Sequence, residues 1–182
     1  DYSLKKRYGN LIPAVPNNGI NSIYEDHFGN IWVCTWGGGL YKYLKNTDTF
    51  MSFPTLGANN NPFKIFQDKD DQYWILTWGD GIYRFHPDAT EDRMYTHQEI
   101  FNEKLHQPET AFFSVVQDDV YGYIWIFGYH ELYAFKVADG HLEKVDLSSY
   151  MFDYNKMFSQ IIKDREGNLW AGAYDSGYHL LM

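Results

Sequence analysis

The chain of 182 residues has little with which to grip a polyanion. It carries 15 Lys and Arg against 24 Asp and Glu, a formal charge of −9, and its densest basic run is Lys5-Lys6-Arg7. Nucleic-acid backbones and anionic membranes both reward clustered Lys and Arg, so neither is an expected partner of these residues. Cysteine is almost absent. Cys34 stands alone, cannot close an internal disulfide, and lies in an apolar alternation that marks it as a small core hydrophobe rather than a reactive thiol. No apolar run approaches the ~18 residues that suggest a membrane span. The chain opens on Asp1-Tyr2-Ser3-Leu4-Lys5, without an initiator Met or a leader profile, and reads as an excerpt of a longer protein.

The motifs of catalysis and metal binding are missing as well. The 7 histidines are scattered, with no pair at ligand spacing. There is no Gly-x-Ser-x-Gly elbow, phosphate loop or dinucleotide fingerprint, since Gly37-Gly38-Gly39 falls between strands and not before a helix. Lys69-Asp70-Asp71 beside Asp68 is acid-dense but lacks the glycine and terminal Glu of a calcium loop. No catalytic residue, metal or cofactor is expected.

What is abundant is aromatic: 16 Tyr, 13 Phe and 6 Trp. Aromatic side chains favour pleated, half-buried surfaces, which tilts the chain toward an all-β fold. Trp32, Trp74, Trp125 and Trp170 then reveal a repeat, with separations of 42, 51 and 45 residues. Aligned on them, an aliphatic stands nine residues before (Ile23, Ile65, Val116, Ile161) and an aspartate six before (Asp26, Asp68, Asp119, Asp164). A turn residue stands three before (Gly29, Asp71, Gly122, Gly167), and an aromatic four after (Trp36, Trp78, Tyr129, Tyr174). Each copy reads as an apolar strand, a tight turn, a strand carrying the Trp, a turn, and a third strand such as Leu40-Tyr41-Lys42-Tyr43. Asp suits the first turn because its carboxylate caps backbone amides, and Gly because it accepts φ > 0. Alternation puts Trp32, Cys34 and Trp36 on one face and Ile31, Val33 and Thr35 on the other. A less regular fourth strand is expected at 49–53, 93–96 and 141–145.

Four strands every 40 to 50 residues make the blade of a β-propeller, whose two apolar faces are buried by neighbouring blades. The expected division is 1–19 as the tail of a preceding blade or a linker, 20–61 as a blade, 62–112 as a blade with a long loop, 113–157 as a blade, and 158–182 as an incomplete blade. Part of a larger ring is preferred over a small closed one.

Asp26-His27-Phe28-Gly29-Asn30-Ile31-Trp32 and Asp164-Arg165-Glu166-Gly167-Asn168-Leu169-Trp170, with the Gly37-Gly38-Gly39-Leu40 turn, resemble the two-component regulator propeller repeat. The second copy departs from the pattern at Asp71, the third at its shortened Gly128-Tyr129-His130-Glu131 turn, and Cys34, Leu76 and Phe127 stand where a glycine is usual. The resemblance implies the periplasmic, ligand-sensing part of a hybrid two-component protein, with a histidine kinase beyond these residues. It also implies an oligosaccharide as a possible ligand, other blades of the same full-length chain as neighbours, and a homodimer.

Equivalent turns of a propeller gather on one face of the ring, so Trp36, Trp78, Tyr129 and Tyr174 are expected along an arc where sugar rings can stack. Asp80, His130, Glu131, Asp175 and His179 stand close by in sequence as candidate partners for hydroxyls. The opposing readings are that these aromatics wedge between blades and that the polar residues are ordinary turn residues. The recurring aspartates Asp26, Asp68, Asp119 and Asp164 and the four repeat tryptophans are read as structural. A propeller hydrolase or lyase remains open, with Glu131 its most blade-specific acid, as does a protein-interaction scaffold. Open end blades also lead to the expectation that the chain self-associates.

Overall fold

A computed structural model describes Lys6 and residues 19–53, 61–85, 93–95, 111–129, 131–147, 158–174 and 177–181. These residues form four antiparallel sheets, each a simple meander. The first sheet holds β1 (Ile20–Glu25), β2 (Ile31–Thr35), β3 (Gly39–Leu44) and β4 (Thr49–Ser52). The second holds β5 (Pro62–Gln67), β6 (Tyr73–Thr77), β7 (Ile82–Phe85) and β8 (Arg93–Tyr95). The third holds β9 (Phe112–Asp118), β10 (Tyr123–Gly128), β11 (Leu132–Lys136) and β12 (His141–Lys144). The fourth holds β13 (Phe158–Lys163), β14 (Leu169–Ala173) and β15 (Gly177–Leu181). The all-β fold of repeated four-stranded sheets is the one the sequence predicts. The third sheet opens at Phe112, one residue earlier than the expected division.

The core lies between sheets. Trp32, Cys34 and Leu40 of the first pack against Ile65, Tyr73, Ile75 and Tyr83 of the second. Trp74, Leu76 and Ile82 meet Phe112, Val115, Ile124 and Ile126 of the third. Phe127 and Leu132 meet Ile161, Leu169 and Ala171 of the fourth. Alternation along each strand makes this possible: the Trp face of one sheet looks toward the aliphatic face of the next. The first strands β1, β5, β9 and β13 touch one another in chain order. Side-chain bonds tie them, Ser22 Oγ donating to Phe63 O (2.9 Å) and Ile161 N to Ser114 Oγ (3.1 Å). First strands side by side, with the meanders running outward, is the arc of a propeller.

The turn aspartate does more than cap. In the first sheet Asp26 Oδ1 accepts the amides of Phe28 (3.0 Å) and Asn30 (2.8 Å), while Oδ2 accepts the Trp32 indole N–H at 2.8 Å. Asp68 repeats this with Trp74 (2.7 Å) and Asp164 with Trp170 (2.7 Å). The six-residue spacing of Asp and Trp is therefore one bonded unit, which gives a buried indole donor the partner it requires. In the third sheet the expectation of Asp119 is corrected. Asp118 takes the role, accepting from the amides of Val120 (3.1 Å) and Tyr121 (3.4 Å), with Trp125 Nε1 at a longer 3.5 Å. Asp119 is exposed and accepts only from Gln117 Nε2 among the described residues. The turn here is one residue longer, so counting back from Trp125 lands one position late.

Asp26, Asp118 and Asp164 titrate low. Burial raises the Asp26 carboxyl, but bonds from Tyr73, Trp32 and Asn30 outweigh it and hold it below the ordinary range. Burial likewise raises Asp118, and Lys163 with the Tyr121 and Val120 amides outweighs it. The Trp170 indole and Asn168 pull Asp164 down to about 2. Where a glycine is expected in the second turn, Asp71 adopts φ 59. This left-handed conformation is tolerated by Asp, whose carboxylate is here engaged by Gln67 Nε2 at 3.0 Å.

Candidate aromatic binding arc

Each sheet has two distinct ends. The turn aspartates occupy one. At the other, the second strand runs into its turn and the first strand begins, so that Trp36 N donates to Gly19 O (2.8 Å) and Trp78 N to Asn61 O (2.9 Å). Asn61 Oδ1 also accepts the Gly37 amide, which fixes the first aromatic turn against the start of the second sheet. Gly37 holds φ 72, a conformation that lets the chain reverse directly after Trp36.

This end carries three of the four expected aromatics as a connected row. Trp36 and Trp78 meet edge to face with ring centres 5.5 Å apart, and Trp78 and Tyr129 at 6.3 Å. Phe113 touches both Trp78 (5.7 Å) and Tyr129 (6.0 Å), and Phe63 lies 5.1 Å from Phe113. Centroid distances of 4.5–7 Å and edge-to-face tilts are the favoured aromatic geometry. The row thus spans the first three sheets. Trp36, Trp78 and Tyr129 retain solvent access while Phe113 is buried beneath them. The fourth expected member, Tyr174, is exposed and makes no ring contact among the described residues. Phe63 and Phe113 were not singled out from the sequence, because an aromatic in an apolar strand carries no mark that separates it from ordinary core.

Of the polar candidates, Asp80 is half-buried in the turn after Trp78, and its amide donates to Thr77 Oγ1 at 3.1 Å. The Tyr83 hydroxyl is buried without a hydrogen-bond partner among the described residues, and burial together with the Asp80 charge pushes it up to about 12. Glu131 is engaged on both oxygens: Tyr133 OH donates to Oε2 and Lys144 Nζ to Oε1. His130 and Asp175 lie outside the described residues, as does the side chain of His179. Cys34 is buried and its thiol is pushed up to about 12, chiefly by burial, as befits a core position. Among the described residues no group of three or more His, Cys, Asp or Glu is placed to hold a metal.

Residues 14–37 match the family model described as two component regulator propeller. The family resemblance expected from the sequence is thereby borne out in the first repeat. No curated protein matches the chain. Among solved structures, it is similar to the extracellular domain assigned to hybrid two component system BT3049 of B. thetaiotaomicron. Identity there is 19%, coverage 91% of this chain and 21% of that one, and the TM-score 0.72. The extracellular domain of BT4673 from the same organism gives 21% identity, 90% and 21% coverage, and a TM-score of 0.71. Virginiamycin B lyase from Staphylococcus aureus gives 15% identity, 90% and 55% coverage, and 0.66. At such identities the likeness is one of fold, and the chain spans about a fifth of the length of the first two relatives.

Proposed function

We propose, from a propeller whose first repeat matches the two component regulator propeller family, that this chain is a ligand-sensing segment of a hybrid two-component protein. In this reading it lies in the periplasm and is not itself an enzyme. The full-length protein carries a histidine kinase, and the signal controls transcription. The ligand is an oligosaccharide docked on the aromatic row. The observation that carries the reading is the row itself: Trp36, Trp78 and Tyr129, from three successive sheets, sharing one end of the propeller with solvent access. Sugar rings present flat C–H faces that stack on such surfaces, and aromatic anchors dominate binding energy at sites of this kind. Because the rings belong to different sheets, one extended ligand bridges the seams between them. The net charge of −9 and the Asp80 turn favour an uncharged glycan over a sulfated or uronic one. A glycoside hydrolase works with a pair of carboxyl groups flanking the scissile bond. Glu131, the acid best placed in sequence, is instead held by Tyr133 and Lys144, which weighs against catalysis.

The test is a titration of the chain with neutral and acidic oligosaccharides, read by tryptophan fluorescence and calorimetry. One neutral class is expected to bind. Trp78→Ala then weakens it about tenfold or more, and Trp170→Ala, at the other end of its sheet, leaves it unchanged. Binding that ignores Trp78 removes the row as the site. Release of shortened products would replace the sensor reading with an enzyme.

A further inference from the structure

The aromatic row crosses two seams, and the two differ in chemistry. Between the second and third sheets the row is built of rings: Phe113 lies 5.7 Å from Trp78 and 6.0 Å from Tyr129, with Phe63 5.1 Å from Phe113. Between the first and second sheets Trp36 and Trp78 meet at 5.5 Å, and polar groups gather beside them. Asn61 Oδ1 accepts the Gly37 amide at 2.5 Å, and its carbonyl accepts the Trp78 amide at 2.9 Å, so this half-buried residue is fixed between the two tryptophan turns. Asn61 Nδ2 donates to none of the described residues. Asp80 stands two residues after Trp78 and is half-buried as well.

Strand register places a tyrosine at the same point in three of the third strands: Tyr41 opposite Val33, Tyr83 opposite Ile75 and Tyr133 opposite Ile126. Tyr41 OH donates to Gly38 O at 2.9 Å, and Tyr133 OH donates to Glu131 Oε2. In the second sheet the residue equivalent to Gly38 is Asp80. Its amide donates to Thr77 Oγ1 (3.1 Å), which itself donates to Gly81 O at 2.6 Å. Tyr83 OH is left without a partner among the described residues, although the residue is only 6% exposed. Buried hydroxyls are almost always bonded, so this one is set apart from its two equivalents. It lies at the polar seam: Tyr83 packs with Cys34 and Leu40 of the first sheet, and the Asp80 charge acts on its hydroxyl. Alternation puts Trp36 on the same strand face as Cys34.

We infer that the seam between the first and second sheets holds the recognition point of the row, where Tyr83 OH and Asn61 Nδ2 donate to, and Asp80 accepts from, the hydroxyls of one sugar unit stacked against Trp36 and Trp78. The inference rests on the oligosaccharide reading. A sugar hydroxyl donates and accepts at once, so it completes the unmade Tyr83 bond and also serves the Asp80 carboxylate. Hydroxyls on adjacent ring carbons engage both sides of the point. A fully etherified or apolar unit brings no hydroxyl proton for Asp80, and a site built to bond a hydroxyl rejects the analogue that lacks it. Trp36 and Asp80 both keep solvent access, so their side chains part to admit the hydroxyl. The seam of Phe63, Phe113 and Tyr129 holds the next unit by stacking, which discriminates little between sugars. Specificity therefore lies at one seam and contact area at the other.

Calorimetric titration of the 182-residue chain with maltohexaose, cellohexaose, mannohexaose and xylohexaose, beside melting curves taken without sugar, tests it. At least one hexasaccharide is expected to bind. Tyr83→Phe removes only the unbonded oxygen, so it leaves the melting temperature of the free chain unchanged or raises it, and it weakens that hexasaccharide about tenfold. Tyr41→Phe breaks a bond already made and does the reverse, lowering the melting temperature by about 2–4 °C and leaving the affinity within about twofold. If Tyr83→Phe binds as the parent chain does while Trp78→Ala does not, the row stands and the recognition point falls. If Tyr83→Phe melts as low as Tyr41→Phe, the hydroxyl is bonded within the fold, and the proposal falls on that count. A chain that binds none of the four hexasaccharides overturns the oligosaccharide reading and the recognition point together.

Discussion

Asp118 and Asp119 are neighbours of one residue type whose environments separate them completely. Asp118 is buried, accepts from two turn amides, and is reached by Lys163 from the next sheet. Asp119 is exposed and touches one glutamine amide. Removing a buried acceptor strands its donors, which costs about 1–3 kcal/mol, more where a charge is left unpaired, whereas an exposed contact is worth a few tenths. Asp118→Ala is therefore expected to lower stability in urea by about 2–4 kcal/mol and Asp119→Ala by less than about 0.5. Equal losses would return the structural role to Asp119. The same carboxylates set the acid limit. An aspartate held low in the folded chain titrates near ~3.9 when unfolded, so the folded state binds fewer protons and the carboxylate stabilises above that value. The stabilisation is lost as pH falls through the folded value. Asp26, Asp118 and Asp164 are all of this kind. The melting temperature is expected to stay level from about pH 7 to 5, to drop below about pH 4, and to keep falling toward pH 2, where Asp164 takes up its proton. A transition temperature unchanged from pH 5 to 3 would show that the turn bonds contribute nothing net.

At the scale of the element, the strands were legible because period-2 alternation and a repeated tryptophan are both read directly from the chain. The fourth strands emerge at Thr49–Ser52, Arg93–Tyr95 and His141–Lys144, within the stretches the sequence marks. The third turn was misread for a definite reason. Two adjacent aspartates fit either register, and only the indole bond and the extra residue before Trp125 decide between them. The cross-seam bonds were not legible at all. That Gln67 and Gln117 receive a turn amide from the sheet before, or that Tyr73 OH donates to Asp26 Oδ2 at 2.6 Å, depends on the rotation between sheets, which no local pattern encodes. The aromatic row falls between these cases. Its exposed members follow from spacing, while Phe63 and Phe113 beneath them resemble any core aromatic until the sheets are assembled.

The whole molecule is a chain of seams, and this shapes its energetics. Successive sheets bury their facing sides against one another, so stability is approximated by a sum of sheet and nearest-neighbour terms. Equivalent residues then differ by position in the array and not by chemistry. Ile23, Ile65 and Ile161 occupy the same place in their strands, paired with Val33, Ile75 and Ala171. Yet Ile65 is 1% exposed and Ile161 2%, while Ile23 is 67% exposed. Truncating a buried isoleucine removes its transfer energy and leaves a cavity, about 2–5 kcal/mol, whereas an exposed one has little to lose. Ile65→Ala is expected to cost about 3–4 kcal/mol in the monomeric chain and Ile23→Ala less than about 0.5, measured by urea unfolding at low concentration. If both variants lost the same amount, the repeat position itself would set the energy and the seams would be incidental.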